Sequence, residues 1–186
     1  MTVKQFLQSK IFRCIVVLLC IALVSGGLLA ILNDLWHVSD EELIQRGIKE
    51  VCGDGVNLEK VCDINETYAK SDDGEVLQVL LLDNGDYLIK AQGKHGFQEG
   101  SVSAYVLFTL KDSVYEVKQV AVADYSSSQT LMSKITASGL AKFVGLSEPS
   151  TIKPSEIATG ASYSSTAIKN AVNVAISYMQ TMNKEG

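Results

Sequence analysis

The chain has 186 residues, enough for one domain of ordinary size and one short additional segment. The net charge is −5 at pH 7, and between Asp34 and Glu75 twelve side chains are acidic and four are basic. This excess of negative charge disfavours nucleic acid and anionic lipid head groups as partners. Only two histidines are present, His37 and His95, so a zinc site is not expected.

The first predicted element is an uncharged apolar stretch at residues 14–32. Its length matches the roughly 20 residues that cross a bilayer core, and basic residues precede it. We therefore predict a single transmembrane helix in the cell (inner) membrane, with residues 1–13 in the cytoplasm and the following chain outside. The alternatives are a signal peptide cleaved near residues 25–27, although such apolar regions are shorter, and a lipoprotein anchor at Cys20.

Residues 33–74 are expected to form a membrane-proximal helix and a connection. Ser39 and Glu42 have the spacing of a capping box, which predicts a helix that continues to about Glu50. The apolar side chains expected to face inward from this helix are Leu43, Ile44, Ile48 and Val51. Residues 52–74 are polar and rich in turn-forming residues, so we predict a connection without regular structure there.

Two cysteines, Cys52 and Cys62, lie in the part of the chain predicted to be outside the cell. An oxidising compartment permits a disulfide, and the turn at residues 53–55 would bring the two ends together. A metal pair is the alternative, but no further histidine or cysteine lies near enough in sequence to complete it.

Four β-strands are predicted next, as two hairpins. Asn84-Gly85 is a strong turn signal between strands at residues 75–83 and 86–92. A second hairpin is expected at residues 101–110 and 114–122. In its first strand, four apolar residues alternate on one face: Val102, Ala104, Val106 and Phe108.

A short helix or turn at residues 136–144 and a helix at about residues 165–182 complete the predicted fold. The last helix has an apolar stripe with helical spacing, which is typical of core packing. The stripe consists of Ile168, Ala171, Val172, Ala175, Ile176 and Met179. The predicted fold class is α+β, an antiparallel sheet with a long C-terminal helix, following the single transmembrane helix.

Directly before this last helix the chain carries a cluster of hydroxyl groups around a Gly-Ala step, at residues 156–165. Gly160 permits backbone angles that are closed to other residues, and Ala161 adds little bulk, so Ser162 is expected on an accessible turn. Helix N-termini present unpaired N–H groups and a positive dipole end, which suit a phosphate. The alternative is a serine-rich loop that only caps the helix.

This segment contains an acidic residue and then, three positions later, a hydroxyl residue, Gly, Ala and a second hydroxyl residue in succession. These residues are Glu156, Thr159, Gly160, Ala161 and Ser162. This spacing resembles the flavin-transferase acceptor motif of the FMN-binding domain family. In that family, a Mg-dependent transferase uses FAD to attach FMN to the last hydroxyl by a phosphodiester bond. The resemblance implies covalent FMN on Ser162. The neighbouring cofactor-binding residues that it implies are Glu156, Thr159, Gly160, Ala161, Ser164 and Ser165.

Among members of this family, single-anchor chains of this length are most similar to the G subunit of the Rnf ion-translocating electron transport complex. The C subunit of the sodium-translocating NADH:quinone oxidoreductase is related to it. The resemblance places the FMN-binding domain at residues 75–186. Where the family has a Glu-Thr-Pro-Gly-Leu-Gly loop beside the flavin ring, this chain departs at residues 127–133, and Gln129, Thr130 and Leu131 are the expected ring neighbours.

The implied function is electron relay within a membrane-bound ferredoxin:NAD oxidoreductase that moves Na⁺ or H⁺. The chain would be a redox subunit that is not catalytically complete alone, since it has no nicotinamide fingerprint and no iron–sulfur cysteine set. Expected partners are the other membrane and iron–sulfur subunits, with a flavin transferase for maturation. The alternatives are an anchored structural or binding subunit without flavin, and a stand-alone extracytoplasmic flavoprotein. No catalytic nucleophile and no metal site are predicted.

Overall fold

The computed structural model describes the backbone of residues 10–35 and 40–185, and the side chains of residues 14–29 and 41–183. The chain divides into two compact units, residues 1–43 and residues 44–186. Most of the segment predicted to be cytoplasmic, and the predicted N-cap Ser39, lie outside the described residues.

The first unit contains helix α1, Lys10–Leu35. No helix in the described part of the chain combines the length and the apolar character that crossing a membrane requires. A bilayer core of about 30 Å needs about 20 apolar residues. The predicted fold class was therefore wrong in its transmembrane helix at residues 14–32.

The α+β character of the rest of the chain is confirmed. An antiparallel sheet is packed with helices, and three short 3₁₀ turns interrupt the loops. The helices are α2 (Asp40–Cys52), α3 (Glu66–Ala69), α4 (Ala137–Leu140), α5 (Pro154–Ile157) and α6 (Ser162–Glu185). The strands are β1 (Leu58–Cys62), β2 (Lys70–Ser71), β3 (Gly74–Leu82), β4 (Tyr87–Gly93), β5 (Val102–Lys111) and β6 (Val114–Tyr125).

The strand order is β1-β3-β4-β5-β6, every pair is antiparallel, and β2 pairs with β3 beside β1. Both predicted hairpins are present, β3–β4 and β5–β6. The first turns at Gly85, whose φ of +81° favours glycine, and the second turns through Asp112 and Ser113, also at positive φ. Residues 52–74, predicted to lack regular structure, instead contribute β1, α3 and β2.

The two faces of the sheet carry separate apolar cores because neighbouring strand residues point to opposite sides. Helix α6 covers one face, and the predicted row Val102, Ala104, Val106 and Phe108 is buried beneath it together with the whole predicted stripe of α6. Helix α2 covers the other face with Ile44, Ile48 and Val51. Leu43 was predicted to face inward but is half exposed, since it lies outside the stripe formed by those three residues.

The predicted disulfide between Cys52 and Cys62 is not formed, and both thiols are free. Cys52 ends α2 and packs with the core on that face of the sheet, whereas Cys62 ends β1 and packs with the core beneath α6. The two sulfur atoms therefore lie on opposite sides of the sheet, and the turn at residues 53–55 does not bring them together.

Helix α6 lies directly against strand β4 at Gly93. A β carbon added at Gly93 would collide with the backbone oxygen of Ala167 and the backbone nitrogen of Ala171. The absence of a side chain at this position lets the helix lie directly on the strand. Asn170 extends the contact, because its Nδ2 donates a hydrogen bond to the carbonyl of Lys94 at 3.1 Å. The first turn of α6 lies beside the loop that follows β4, because the Tyr163 ring contacts the Phe97 ring.

Candidate functional site

Ser162 is the first residue of α6 and its side chain is exposed. The turn before it depends on Gly160, whose φ is +77°, and on Ala161, which is buried. The Ala161 carbonyl accepts a hydrogen bond from the Ser165 amide at 2.9 Å, which begins the helix. The helix therefore starts about one turn earlier than predicted. That start places the Ser162 hydroxyl among the first amides of a 24-residue helix, where an anion is favoured.

A cleft of about 330 Å³ opens beside Ser162. This volume lies at the lower end of the range found for small-molecule sites. Three segments form its walls: the loop after β4, the loop after β6 and the start of α6. The lining residues are Phe97, Ser128, Thr130, Leu131, Gly160, Ala161, Ser162, Tyr163 and Ser164. None of these described residues carries a charge, so the cleft is neutral with a row of hydroxyl groups.

Exposed apolar side chains line this cleft. Phe97 and Tyr163 make an edge-to-face contact with ring centroids 5.8 Å apart, and both residues are exposed. Leu131 also lines the cleft and is 42% exposed. Exposed aromatic groups that share a cleft are typical of binding sites for planar ligands, because a stacked ring would cover them.

Gln129 is buried beneath the cleft and connects its three walls. Its side chain is 2% exposed, its Nε2 donates to the Phe97 carbonyl at 3.2 Å, and its Oε1 accepts from Ser164 Oγ at 2.9 Å. Gly96 and Gly100 leave the space that this amide occupies, since a β carbon at either glycine would collide with it. Gln129 therefore fixes the loop that carries Phe97 to the first turn of α6.

The loop after β4 contains three non-glycine residues in the left-handed region: His95 at +65°, Gln98 at +51° and Glu99 at +57°. Such conformations cost free energy and persist only when the surroundings impose them. Here the Gly96 amide donates to the Gly100 carbonyl at 2.9 Å, and the Gly100 amide donates to the Phe97 carbonyl at 3.0 Å. The loop that presents Phe97 is thus held in an unusual conformation by its own backbone bonds and by Gln129.

The structure brings together six of the residues predicted to bind the cofactor. They are Thr130, Leu131, Gly160, Ala161, Ser162 and Ser164, and all of them line the cleft.

The other four predicted residues do not line it. Gln129 is buried behind the wall, and Ser165 is fully buried with no hydrogen-bond partner for its Oγ among the described residues. Glu156 is exposed on α5, where its backbone carbonyl accepts from Lys142 Nζ at 2.6 Å. Thr159 is exposed in the turn before α6 and lies outside the cleft lining. In α5 and α6, consecutive side chains point in different directions, because each residue of a helix is rotated about the axis relative to the one before it.

Three residues of the cleft lining were not predicted from the sequence, Phe97, Ser128 and Tyr163, and neither was the neighbouring Lys134. An exposed aromatic residue inside the hydroxyl cluster was a usable signal for Tyr163. Ser128 lies in the hydroxyl-rich loop at residues 126–130 but had no feature that separated it from its neighbours. Lys134 lies beside Gly160, where a β carbon would be 3.0 Å from its Nζ, and no local pattern connects these two residues.

A larger groove of about 710 Å³ follows strand β6. Its walls include Val120, Val122, Met132, Ile135 and Leu140. By volume this groove would be the better ligand site. The smaller cleft is the better candidate on chemical grounds, because it combines an exposed hydroxyl at a helix start with an aromatic pair. Among the described residues, no group of three or more His, Cys, Asp or Glu side chains is arranged to hold a metal ion.

Comparison of the chain with family models, with curated proteins and with solved structures produced no match. The features of this chain that bear on its function are the residues of the cleft and the motif before α6. The family, the FMN cofactor, the partner subunits and the location at the cell membrane stay predictions.

Proposed function

We propose that this protein is an electron-relay subunit that carries FMN covalently on Ser162, within an Rnf-type membrane-bound ion-translocating oxidoreductase. The observation that carries the proposal is the exposed Ser162 hydroxyl at the start of α6, directly beside a neutral cleft with an aromatic pair. The motif from Glu156 to Ser162 supports the same chemistry from the sequence side.

In the attachment step, Ser162 Oγ forms a bond to the phosphorus of the FMN half of FAD. The bond from that phosphorus to the AMP oxygen breaks, and AMP leaves with the bonding electrons. The hydroxyl proton passes to a base of the flavin transferase. The exposed position of Ser162 is necessary for this step, because a second protein must reach the oxygen. The first amides of α6 stabilise the negative charge of the resulting phosphodiester.

The residues around the tether position the ring and shield it from water. Phe97, Tyr163 and Leu131 supply the apolar surface on which a flat ring would stack. Gln129 joins its own loop to the Phe97 loop and to the first turn of α6, and so limits the movement of all three walls. Bound FMN supplies one- and two-electron redox chemistry, and the protein sets its position and surroundings.

This chain would exchange electrons with other membrane and iron–sulfur subunits and would not oxidise NADH alone. The proposal places the domain on the extracytoplasmic side of the cell membrane through those partner subunits. Covalent attachment is useful at that location, because a dissociated cofactor would not be readily replaced there.

The test is the intact mass of the full chain produced together with an active flavin transferase. We expect the mass to rise by one FMN less one water, and flavin fluorescence to remain with the chain after denaturation. Ser162→Ala should abolish both signals. Ser155→Ala is the matched control, because Ser155 is also an exposed hydroxyl, on α5 outside the cleft, and it should leave both signals unchanged.

An unmodified wild-type mass, with the transferase active on a control substrate, would contradict the proposal. That outcome would favour a structural or binding subunit without flavin, for which the exposed aromatic pair would serve as a contact surface.

A further inference from the structure

Lys134 ends the 3₁₀ turn Met132–Lys134, in the loop between β6 and α4. Its ammonium group lies over the turn that precedes α6, because a β carbon built on Gly160 would be only 3.0 Å from Lys134 Nζ. Gly160 has a φ of +77° and no side chain, so the backbone itself makes room for the ammonium group. Ser162 follows Gly160 closely in the chain, at the start of α6.

No carboxylate neutralises Lys134 within the described part of the chain. Other lysines in the same part do have acidic partners: Lys118 pairs with Asp86 at 2.8 Å, and Lys111 pairs with Glu116 at 3.3 Å. The described lining of the cleft is also uncharged. Lys134 therefore places an uncompensated positive charge beside Gly160, at one end of a neutral cleft.

We propose that Lys134 is the counter-charge that binds the phosphate joined to Ser162, and that it positions this phosphate during attachment. This inference rests on the proposed function. A charge-assisted bond from an ammonium group to a phosphate oxygen is stronger than a neutral hydrogen bond. Negative charge also develops on the phosphate oxygens while AMP leaves, and a fixed cation stabilises it most at that moment. Lys134 thereby favours a phosphorylated flavin over one that lacks phosphate.

The experiment measures initial rates of FMN attachment by the transferase with FAD, for the wild-type full chain and three variants. We expect Lys134→Gln to lower kcat/KM for this protein as acceptor by about tenfold or more. Lys134→Arg keeps the charge and should retain most of the rate. Lys153→Gln is the matched control, since it removes an equal charge from an exposed lysine that has no atom within 4 Å of the β-carbon position of Gly160, and it should leave the rate unchanged.

Two further readouts separate a charge effect from a structural one. Lys134 is exposed, so the thermal midpoint of Lys134→Gln should equal that of Lys153→Gln. Added salt should slow attachment to the wild type more than to Lys134→Gln, because the interaction that salt screens is already absent from the variant.

Equal attachment rates for Lys134→Gln and Lys153→Gln, with the wild type modified on Ser162, would overturn the role of Lys134 and leave the proposed function standing. Failure of the wild type to be modified at all would overturn the proposed function itself, and this inference with it.

Discussion

Two adjacent serines in the first turn of α6 show how much one hydrogen bond changes the role of a residue. Ser164 and Ser165 are both buried. The Ser164 hydroxyl donates to Gln129, whereas the Ser165 hydroxyl has no partner among the described residues. A buried hydroxyl without a partner has lost its bonds to water and gained nothing in exchange. The Ser164 hydroxyl therefore stabilises the folded protein, whereas the unpaired Ser165 hydroxyl lowers the free energy of unfolding.

We expect Ser164→Ala to lower the free energy of unfolding by about 1–2 kcal/mol, because it leaves the buried Gln129 Oε1 unpaired. Ser165→Ala should leave this free energy unchanged or raise it, since no bond is lost. Urea unfolding of the full chain, followed by far-ultraviolet circular dichroism, gives both values. Equal losses in the two variants would contradict the assignment of the Gln129 contact.

At the scale of elements, the contact between α6 and the sheet decides where the cleft lies. The helix approaches β4 at Gly93, and Asn170 fixes the chain just beyond that strand. The helix start and the loop carrying Phe97 are then joined by Gln129. A shift of α6 along β4 would separate Ser162 and Tyr163 from Phe97.

Gly93→Ala should be strongly destabilising, with a loss of about 2–3 kcal/mol, because the new methyl group collides with helix backbone that cannot rotate away. Gly85→Ala serves as the comparison. Gly85 has open space around it, so only its φ of +81° opposes a side chain, and the expected loss is about 1 kcal/mol. Thermal unfolding measures both. A smaller loss for Gly93→Ala than for Gly85→Ala would show that α6 can move away from β4.

At the scale of the whole molecule, weakly acidic side chains are placed against both faces of the sheet. Burial raises the pKa of the Cys52 thiol, with the nearby Asp86 carboxylate adding to the effect, and burial also raises the pKa of the Cys62 thiol. Burial and the neighbouring Tyr115 raise the pKa of the Tyr87 phenol, and burial with Glu50 raises the pKa of Tyr105.

These directions predict that stability falls in alkaline solution. In the unfolded chain the four groups lose their protons at their ordinary pKa values, whereas the folded chain keeps them protonated to higher pH. The unfolded state is then favoured as pH rises from the ordinary pKa values through the raised ones, and the contribution is intact below that window. Urea midpoints should decrease above about pH 8, first through the two thiols and then, above about pH 10, through the two phenols. The decrease should be smaller in Cys52→Ala, and an equal decrease would contradict a raised thiol pKa.

Part of this architecture could be predicted from the sequence. Asn84-Gly85 and the alternation of Val102, Ala104, Val106 and Phe108 identified the two hairpins. The stripe beginning at Ile168 identified the face of α6 that is buried. These signals are local, because turn chemistry and side-chain periodicity act within one element.

The remaining features depend on contacts between distant segments. Strand β1 has mostly exposed residues and no clear alternation, so only its pairing with β3 makes it a strand. The apolar stretch at residues 14–32 was interpreted as a membrane span, whereas no helix in the described part of the chain is long and apolar enough to cross a membrane.

The sequence by itself determined the hairpins, the buried stripe of α6 and the hydroxyl cluster around Ser162, because propensity and periodicity act between near neighbours. Only the tertiary structure decided that Gln129 is buried, that the sheet separates Cys52 from Cys62 and that Lys134 lies beside Gly160. Each of these facts depends on how the sheet and α6 bring distant parts of the chain together. The spacing of residues in the sequence does not reveal such contacts.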